Sequence, residues 1–306
     1  MRGPIETFIG VHLAHQIAWG VMSNDRELLD PPRIVPTHGR LSSMPAEEIV
    51  QTVVREFDHV ESLGPVQALG LGVPGLVEHG VIQESPNLPQ LKGFQLQSEL
   101  YDAFRGTRLT RVPVFVFNDA DALAAGMAAH RAELRGPIRI WTLGRGVGLG
   151  RYPSLDRAWE GGHVVVTLDP NENHCSCGGI GHLEGIVGLR SMRLRFLDRE
   201  PEEVFESAKN GDEPAHAFVT LWHRALAAAT ASCVHLDGPG EFFITGASSD
   251  FINVELLTQH LDSMIGMTSL QGSTFSIIAQ TEQIGVIGAA FNAQTELAHD
   301  PRLQHA

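Results

Sequence analysis

The sequence predicts an α/β protein whose helices pack against mostly buried sheets. Apolar runs of strand length occur within 66–75, at 112–117 and at 138–143. Segments with apolar residues at helical spacing alternate with them, most clearly between Pro45 and Gly64. The chain has 306 residues, of which 43% are hydrophobic, so it can build one large core or two of ordinary size.

The first part of the chain alternates short strands with helices. Strands are predicted at 5–11 and 17–22, on either side of a turn near His12–Gln16, and a proline-rich irregular stretch follows at 24–40. The apolar spacing after Pro45 predicts an amphipathic helix that ends at Gly64-Pro65. The next elements, in chain order, are a buried strand ending in a turn at Pro74-Gly75, a short strand at Val81 and Ile82, a loop at 85–89, a helix at 95–104 and a strand at 112–117.

The second part continues the alternation. The predicted elements are an alanine-rich helix that runs to 134, a strand at 138–143, a glycine-rich loop at 144–150, a long helix at about 214–235, strands at 241–245 and near 274–279, and a last helix from about 284. We expect a smaller N-terminal domain, 1–118, and a larger one, 119–283. A C-terminal helix of about 284–306 is expected to pack back on the first domain.

Composition excludes several classes of protein. A formal charge of −14 without a basic cluster opposes nucleic-acid binding. No apolar run approaches the roughly 20 residues of a membrane span. The only lysines are Lys92 and Lys209, so no GxxxxGK[ST] phosphate loop is present. Three cysteines fit a reducing compartment better than a disulfide framework. We therefore expect a cytoplasmic protein without nucleic-acid or membrane partners.

The stretch Glu160–Glu184, EGGHVVVTLDPNENHCSCGGIGHLE, concentrates thiols and imidazoles in a chain that is poor in cysteine. Thiolate and imidazole are preferred ligands of zinc, which takes four of them in a structural site. The spacing predicts a zinc site, with His174 as an alternative ligand, although a glycine-rich loop with incidental cysteines is also compatible. The predicted ligands are His163, Cys175, Cys177 and His182.

Asp119 follows the apolar strand 112–117, where ligands of α/β sheets bind. A carboxylate in that place can accept a proton from a substrate hydroxyl and so act as a general base. It can equally be the N-cap of the alanine-rich helix, because Asp is a favoured cap. The residue alone leaves both interpretations open.

Glycines alternate in GRGVGLG, directly after the strand 138–143. Such a loop can offer backbone N–H groups to phosphate, and Arg145 can add a charge-assisted contact. A glycine-rich hairpin is the alternative. The candidate phosphate-binding residues are Gly144, Arg145, Gly146 and Gly148.

Several motifs together resemble the ROK family of sugar kinases and sugar-responsive repressors. They are LGVPG (71–75), SPNLP (85–89), FNDADAL (117–123), TLGRGVGLG (142–150), EGGH (160–163) and CSCGGIGHLE (175–184). The resemblance is most specific between about 66 and 190 and continues faintly through IGVIGAAF (284–291). It implies a two-domain actin-like, ribonuclease-H-like fold and, since strand one begins by about residue 5, no helix-turn-helix preceding it.

The resemblance also implies roles for particular residues. Asp119 would be the general base that deprotonates the sugar hydroxyl attacking the γ-phosphate of ATP. His163 would bind zinc through one ring nitrogen and face the sugar with the other, so that zinc positions the sugar loop. The implied sugar-binding residues are Gly75, Asn87, Asn118, Asp119, Glu160, His163 and Glu184.

The chain departs from the family pattern mainly on the nucleotide side. His12–Gln16 stands in place of a D-x-G-G-T phosphate motif, which removes an aspartate that helps to hold Mg²⁺. The C-terminal glycine pair on the adenosine side is here Gly246-Ala247, and the third cysteine of the zinc motif is His182. The sequence therefore favours a glucokinase-like or N-acylhexosamine kinase that uses Mg-ATP and carries structural zinc. The alternative is a catalytically weak sugar sensor.

A further expectation concerns pH. Imidazole gains charge below about pH 6.5. His12 and His15 are therefore expected to strengthen any residual phosphate binding in that range.

Overall fold

The computed structural model describes residues 6–37, 41–58, 64–134, 136–154 and 159–299. Its contacts divide the chain into two compact units. The first comprises Met1–Glu133, Gly150–Trp159 and Gln280–Ala306, and the second comprises Leu134–Leu149 and Glu160–Ala279.

A five-stranded sheet organises the first unit. Its strands are β1 (Thr7–Leu13), β2 (Ile17–Ser23), β3 (Arg33–Val35), β4 (Val66–Val73) and β7 (Val114–Asn118), while β5 (Leu76–Glu78) and β6 (Val81–Glu84) pair separately. The order is β3-β2-β1-β4-β7, with β1 parallel to β4 and β4 parallel to β7. Because these three strands are parallel, their carboxyl ends meet at one edge, where ligands of such sheets bind.

Helices pack on this sheet. They are α1 (Ala46–Asp58), α2 (Leu96–Ala103), α3 (Asp119–Ala128) and the last helix of the chain, α9 (Thr281–His299). Odd-numbered residues of β1, such as Ile9 and Val11, join the core with α1 and α2. Even-numbered residues point to the opposite face. There α9 lies so close that a Cβ at Gly10 would be 1.9 Å from the Val286 carbonyl oxygen.

The predicted boundary at 118/119 differs from the observed division after Glu133, because α3 packs on α9 within the first unit. Residues 300–306, the end of the predicted C-terminal helix, lie outside the described part of the chain.

The second unit has a four-stranded sheet. Its strands are β8 (Ile138–Leu143), β9 (Val147–Tyr152), β10 (Glu241–Thr245) and β11 (Thr274–Ile277), in the order β11-β10-β8-β9, and β9 continues into the first unit from Gly150. Its helices are α4 (Leu183–Val187), α5 (Leu189–Arg195), α6 (Pro201–Lys209), α7 (Glu213–Asp237) and α8 (Val254–Met264). Buried Trp141 of β8 donates its indole N–H to Thr230 of α7 at 3.1 Å, which fixes the longest helix on the sheet.

The α/β class is confirmed, and most elements lie where periodicity predicts them. Two predictions were wrong. The alanine-rich helix ends at Ala128 instead of 134, and His130 and the residues 132–134 beyond it are exposed. The segment 144–150 is not all loop, since β9 begins at Val147, whose side chain is buried together with that of Leu149.

No helix among the residues that the structure describes combines the length and apolarity needed to cross a membrane.

Candidate functional site

Asn118 and Asp119 form the junction between β7 and α3. Asn118 is the N-cap: its Oδ1 accepts the N–H of Ala120 at 2.9 Å and that of Asp121 at 3.1 Å. Its Nδ2 donates to the Gly75 carbonyl at 2.8 Å. The interpretation of Asp119 as the N-cap is therefore wrong. Asp119 is the half-buried first residue of α3, and its Oδ1 accepts the Ala120 N–H at 2.9 Å.

The turn after β4 explains why Gly75 meets Asn118. Gly75 has a φ of 124°, which favours glycine, and a Cβ there would lie 2.1 Å from the Glu84 carbonyl oxygen. Buried Ser85 donates its hydroxyl to the Pro74 carbonyl at 2.5 Å and so ties the end of β6 to the same turn. Asn87 is exposed in the loop that follows. The first unit thus holds Gly75 and Asn118 in direct contact.

In the second unit the motif EGGH (160–163) packs against strand β9. Glu160 precedes a short 3-10 turn, Gly161–His163. A Cβ at Gly162 would lie 1.9 Å from the Val147 carbonyl oxygen, so the turn can approach the strand only because that residue is glycine. The close approach fixes the backbone positions from which the side chains of the flanking Glu160 and His163 extend.

The carboxyl of Glu160 is electrostatically perturbed. Its side chain keeps access to water. Nevertheless, the protein atoms around it raise its pKa by desolvation, and the charge of Glu184 acts in the same direction while His163 opposes it.

The predicted zinc ligands lie together. Cys175 Sγ is 3.4 Å from Cys177 Sγ, and Cys177 Sγ is 3.2 Å from His182 Nδ1. The rings of His163 and His182 stack with centroids 5.3 Å apart. Two sulfur ligands of one tetrahedral zinc ion, at about 2.3 Å each, are about 3.8 Å apart, so these separations suit one ion.

Two overlapping groups of donor atoms have all members within 4.8 Å of one another. His163 belongs to both, and His174, the alternative ligand, belongs to neither. The groups are His163, Cys177 and His182, and His163, Cys175 and Glu184.

Glu184, the acidic member of the second group, already has protein partners. It is 8% exposed, and its Oε1 accepts the Ser176 hydroxyl at 2.5 Å while its Oε2 accepts the Val147 N–H at 3.2 Å. A Cβ at Gly146 would lie 2.5 Å from Oε2, so glycine is needed beside this carboxylate. The four predicted zinc ligands do not form one such group, because Cys175 is grouped with His163 and Glu184 and not with Cys177 and His182. Sequence spacing carries no signal for the contribution of Ser176.

An ion pair anchors the same loop. Glu172, 9% exposed, accepts from both guanidinium nitrogens of Arg195, with Nη1 3.1 Å from Oε1. The Arg195 guanidinium also lies 5.3 Å from the ring centroid of Phe218. The pair therefore joins the cysteine-containing loop to α5 and α7. Sequence reasoning did not find it.

The glycine-rich segment forms a short turn between neighbouring strands. The Gly144 N–H donates to the Gly146 carbonyl at 3.0 Å, and Arg145 between them is exposed. Gly148 lies within β9, where a Cβ would be 2.5 Å from Thr142 Oγ1. The geometry is that of the glycine-rich hairpin, and packing accounts for Gly148.

Gly246 follows β10 with a φ of 102°. A Cβ there would lie 2.3 Å from the Leu143 carbonyl oxygen, which also accepts the Ser248 N–H at 3.0 Å. The Gly246 turn therefore adjoins the end of β8, the strand that leads into the glycine-rich turn.

His12, at the carboxyl end of β1, is buried between two glycines. A Cβ at Gly72 would be 3.3 Å from its ring and one at Gly285 would be 2.5 Å from it. Among the described residues neither ring nitrogen has a hydrogen-bond partner. Burial lowers the pKa of His12 to about 4, although the nearby Glu282 raises it. The expectation that it gains charge below about pH 6.5 is wrong, because desolvation favours the neutral ring; exposed His15 is in the turn beyond.

The chain is similar to known proteins in sequence and in structure. A sequence profile of the ROK family matches residues 9–296. A glucokinase from Thermotoga maritima is 29% identical over 89% of this chain and 92% of its own length. An N-acetyl-D-glucosamine kinase from Salmonella gallinarum is 27% identical over 80% of this chain and 87% of its own length. The crystal structure of a ROK hexokinase from Thermus thermophilus is 25% identical, covers 96% of this chain and 100% of its own, and has a TM-score of 0.77.

Proposed function

Because the chain belongs to the ROK family, with the actin-like two-domain fold of its sugar kinases, we propose that it phosphorylates a hexose or an N-acylhexosamine with Mg-ATP. The observation that carries the proposal is the Asn118–Asp119 junction. It presents a half-buried carboxylate at the carboxyl edge of the sheet, beside an asparagine whose amide is held by Gly75. Relatives named for glucose and N-acetylglucosamine phosphorylation support this substrate class. We propose a homodimer as the functional unit.

In this mechanism Asp119 is the general base. Its carboxylate takes the proton of one sugar hydroxyl, the oxygen attacks the γ-phosphorus of ATP, and the bond from that phosphorus to ADP breaks. Mg-ATP supplies the phosphoryl group and neutralises its charge. Asn118 keeps Asp119 in place because it caps α3 one residue earlier.

The proposed sugar-binding residues combine acceptors with one amide and one imidazole. Carboxylates accept hydrogen bonds from hydroxyl groups, and an asparagine side chain both donates and accepts. Gly75 and Asn87 are proposed as sugar-contacting residues of the first unit. The hydrogen-bonding residues are Asn118, Glu160, His163 and Glu184.

We propose that zinc has a structural role and is held by His163, Cys175, Cys177 and His182. Two thiolates and two imidazoles make a closed tetrahedral set without an open position for substrate. The ion would hold the loop that carries Ser176 and Glu184. The ion pair of Glu172 with Arg195 supports the same loop from its other side.

On the nucleotide side, we propose that phosphate contacts come from Gly144, Arg145 and Gly146, with Gly148 behind them and Gly246 beside the end of β8. Exposed Arg145 offers a guanidinium to phosphate oxygens. Oxygen ligands for Mg²⁺ are fewer than in the family pattern, because neutral His12 stands in place of the aspartate.

That substitution supports a second candidate function, a sugar-binding sensor with weak or no turnover. A buried imidazole without hydrogen bonds cannot neutralise transition-state charge. Loss of such a group costs roughly 10²–10³ in rate.

Separate titrations of sugar and Mg-ATP distinguish the two functions. Calorimetry with glucose, mannose, N-acetylglucosamine and N-acetylmannosamine gives the sugar affinity, and a coupled assay of ADP release gives turnover. Turnover with one of these sugars supports the kinase. Sugar binding without turnover supports the sensor. If no sugar of the panel binds at millimolar concentration, both proposals fail.

A further inference from the structure

The two oxygens of Glu184 have different partners. Oε1 accepts both polar groups of Ser176, the hydroxyl at 2.5 Å and the backbone N–H at 3.4 Å. Oε2 accepts the Val147 N–H at 3.2 Å. The side chain is 8% exposed. A carboxylate held through both oxygens cannot rotate without breaking a hydrogen bond, so its plane is fixed by two separate segments of the chain.

The two oxygens also differ in remaining capacity. An ionised carboxylate oxygen has about two acceptor positions. Both positions of Oε1 are taken by Ser176, whereas Oε2 has one bond. His163 Nε2 lies 4.0 Å from Oε2, too far for a direct hydrogen bond. Oε2 is therefore the oxygen that can accept a further donor, such as a sugar hydroxyl.

Ser176 is held in its own place by its neighbours. It lies between Cys175 and Cys177, whose sulfurs are 3.4 Å apart, and the Cys175 Sγ is itself 3.6 Å from Glu184 Oε1. Any ion that binds the two thiolates restrains the backbone on both sides of Ser176. The serine thus connects the cysteine cluster to the carboxylate.

We propose that Ser176 is a positioning residue: its hydroxyl occupies Oε1 of Glu184 and leaves Oε2 turned to receive a sugar hydroxyl. This inference rests on the proposed function of Glu184 as a sugar ligand. It assigns to the residue between the two cysteines a task in sugar binding that is separate from metal binding.

The test compares Ser176→Ala with Ser176→Thr. Threonine keeps the hydroxyl and alanine removes it. A hydrogen bond to a charged group contributes about 1.5–3 kcal/mol. We therefore expect Ser176→Ala to weaken sugar binding, measured by calorimetry, by about tenfold or more, and Ser176→Thr to restore it to within about threefold of wild type. Zinc content should stay at the wild-type value in both. Equal sugar affinity in the alanine variant and the wild type would overturn the proposal.

A control removes a hydroxyl that holds the same loop in another way. Ser191 is buried and donates to the His174 carbonyl at 3.0 Å, without touching Glu184. If Ser191→Ala weakened sugar binding as much as Ser176→Ala, the effect would be general loosening of the loop and the inference would fail. In a Glu184→Gln background the effect of Ser176→Ala should shrink, since the serine acts through that carboxylate.

Crystal structures decide the proposal even if the wild type binds no sugar, which is the outcome that sinks the proposed function. In Ser176→Ala we expect the Glu184 carboxylate to rotate or lose its single position, and in Ser176→Thr to keep it. An unmoved carboxylate in the alanine variant would mean that Val147 alone fixes it, and Ser176 would have no positioning role.

Discussion

The ring of His12 lies against Gly285, where a Cβ would be only 2.5 Å from the imidazole. This contact fills the carboxyl end of β1 with a neutral side chain and the backbone of α9. A charged carboxylate in the same place would need solvent or a cation. Histidine in place of the aspartate of the family motif therefore changes the packing of the sheet edge as well as its charge.

The contact predicts a strong effect of a single methyl group. Gly285→Ala should lower the free energy of unfolding by about 1–3 kcal/mol, because overpacking against the ring outweighs the higher helix propensity of alanine. Urea unfolding measures it. The matched control is Gly266→Ala, where a Cβ meets nothing within 4 Å and the change should stay within about 0.5 kcal/mol. In a His12→Ala background the effect of Gly285→Ala should largely disappear, and its persistence would contradict the contact.

His12 also predicts a loss of stability in acid. Its pKa is about 4 in the folded protein and about 6.5 in the unfolded chain, so the unfolded state takes up the proton first as pH falls. This contribution is complete above about pH 6.5 and decreases as pH falls toward 4. A difference of about 2.5 pH units corresponds to about 3 kcal/mol.

The measurement is the free energy of unfolding at several pH values between about 4 and 7. His12→Leu should show a decline that is smaller by about 3 kcal/mol, since it removes the titrating group from both states. His15→Asn, at an exposed position, should follow the wild type. Parallel curves for His12→Leu and the wild type would exclude His12 as the cause.

The cysteine–histidine cluster predicts zinc binding. Protein purified without added metal should contain about one zinc per chain, and Cys175→Ser/Cys177→Ser should contain almost none. Atomic absorption measures it. Cys233→Ser is the matched control, because that half-buried thiol lies in α7 outside both metal groups, and it should keep the metal. A stoichiometry near zero in the wild type would show that the cysteines do not form a zinc site.

The proposed base predicts a separation of binding from turnover. Asp119→Asn should lower kcat by about 10²–10⁴ and change sugar affinity by less than about threefold, because the amide keeps the shape but cannot take the proton. Asp121→Asn is the control: its Oδ1 accepts the Arg151 N–H at 2.8 Å, and kcat should remain near wild type. If Asp119→Asn keeps most of its rate, the mechanism is wrong.

Local patterns predicted elements well where burial follows a regular period. The run IRIWTL is β8 at its predicted bounds, and EFFIT is β10. The alternating glycines of 144–150 obscure the sequence pattern of β9. Positions of this strand that pack closely on their neighbours carry glycine where a strand usually has apolar side chains. Val147 and Leu149 alone carry the signal there.

The sequence by itself determined the α/β class, the family and the residues that lie close together along the chain. The sulfur of Cys177 lies 3.4 Å from that of Cys175 and 3.2 Å from His182 Nδ1, because few residues separate the three along the chain. Only the tertiary structure decided the contacts between distant segments: His12 with Gly285, Glu172 with Arg195, and Glu184 with Val147. The physical reason is that such contacts depend on how helices and loops pack on the sheets. A glutamate looks the same in the sequence whether or not a backbone N–H 37 residues away donates a hydrogen bond to it.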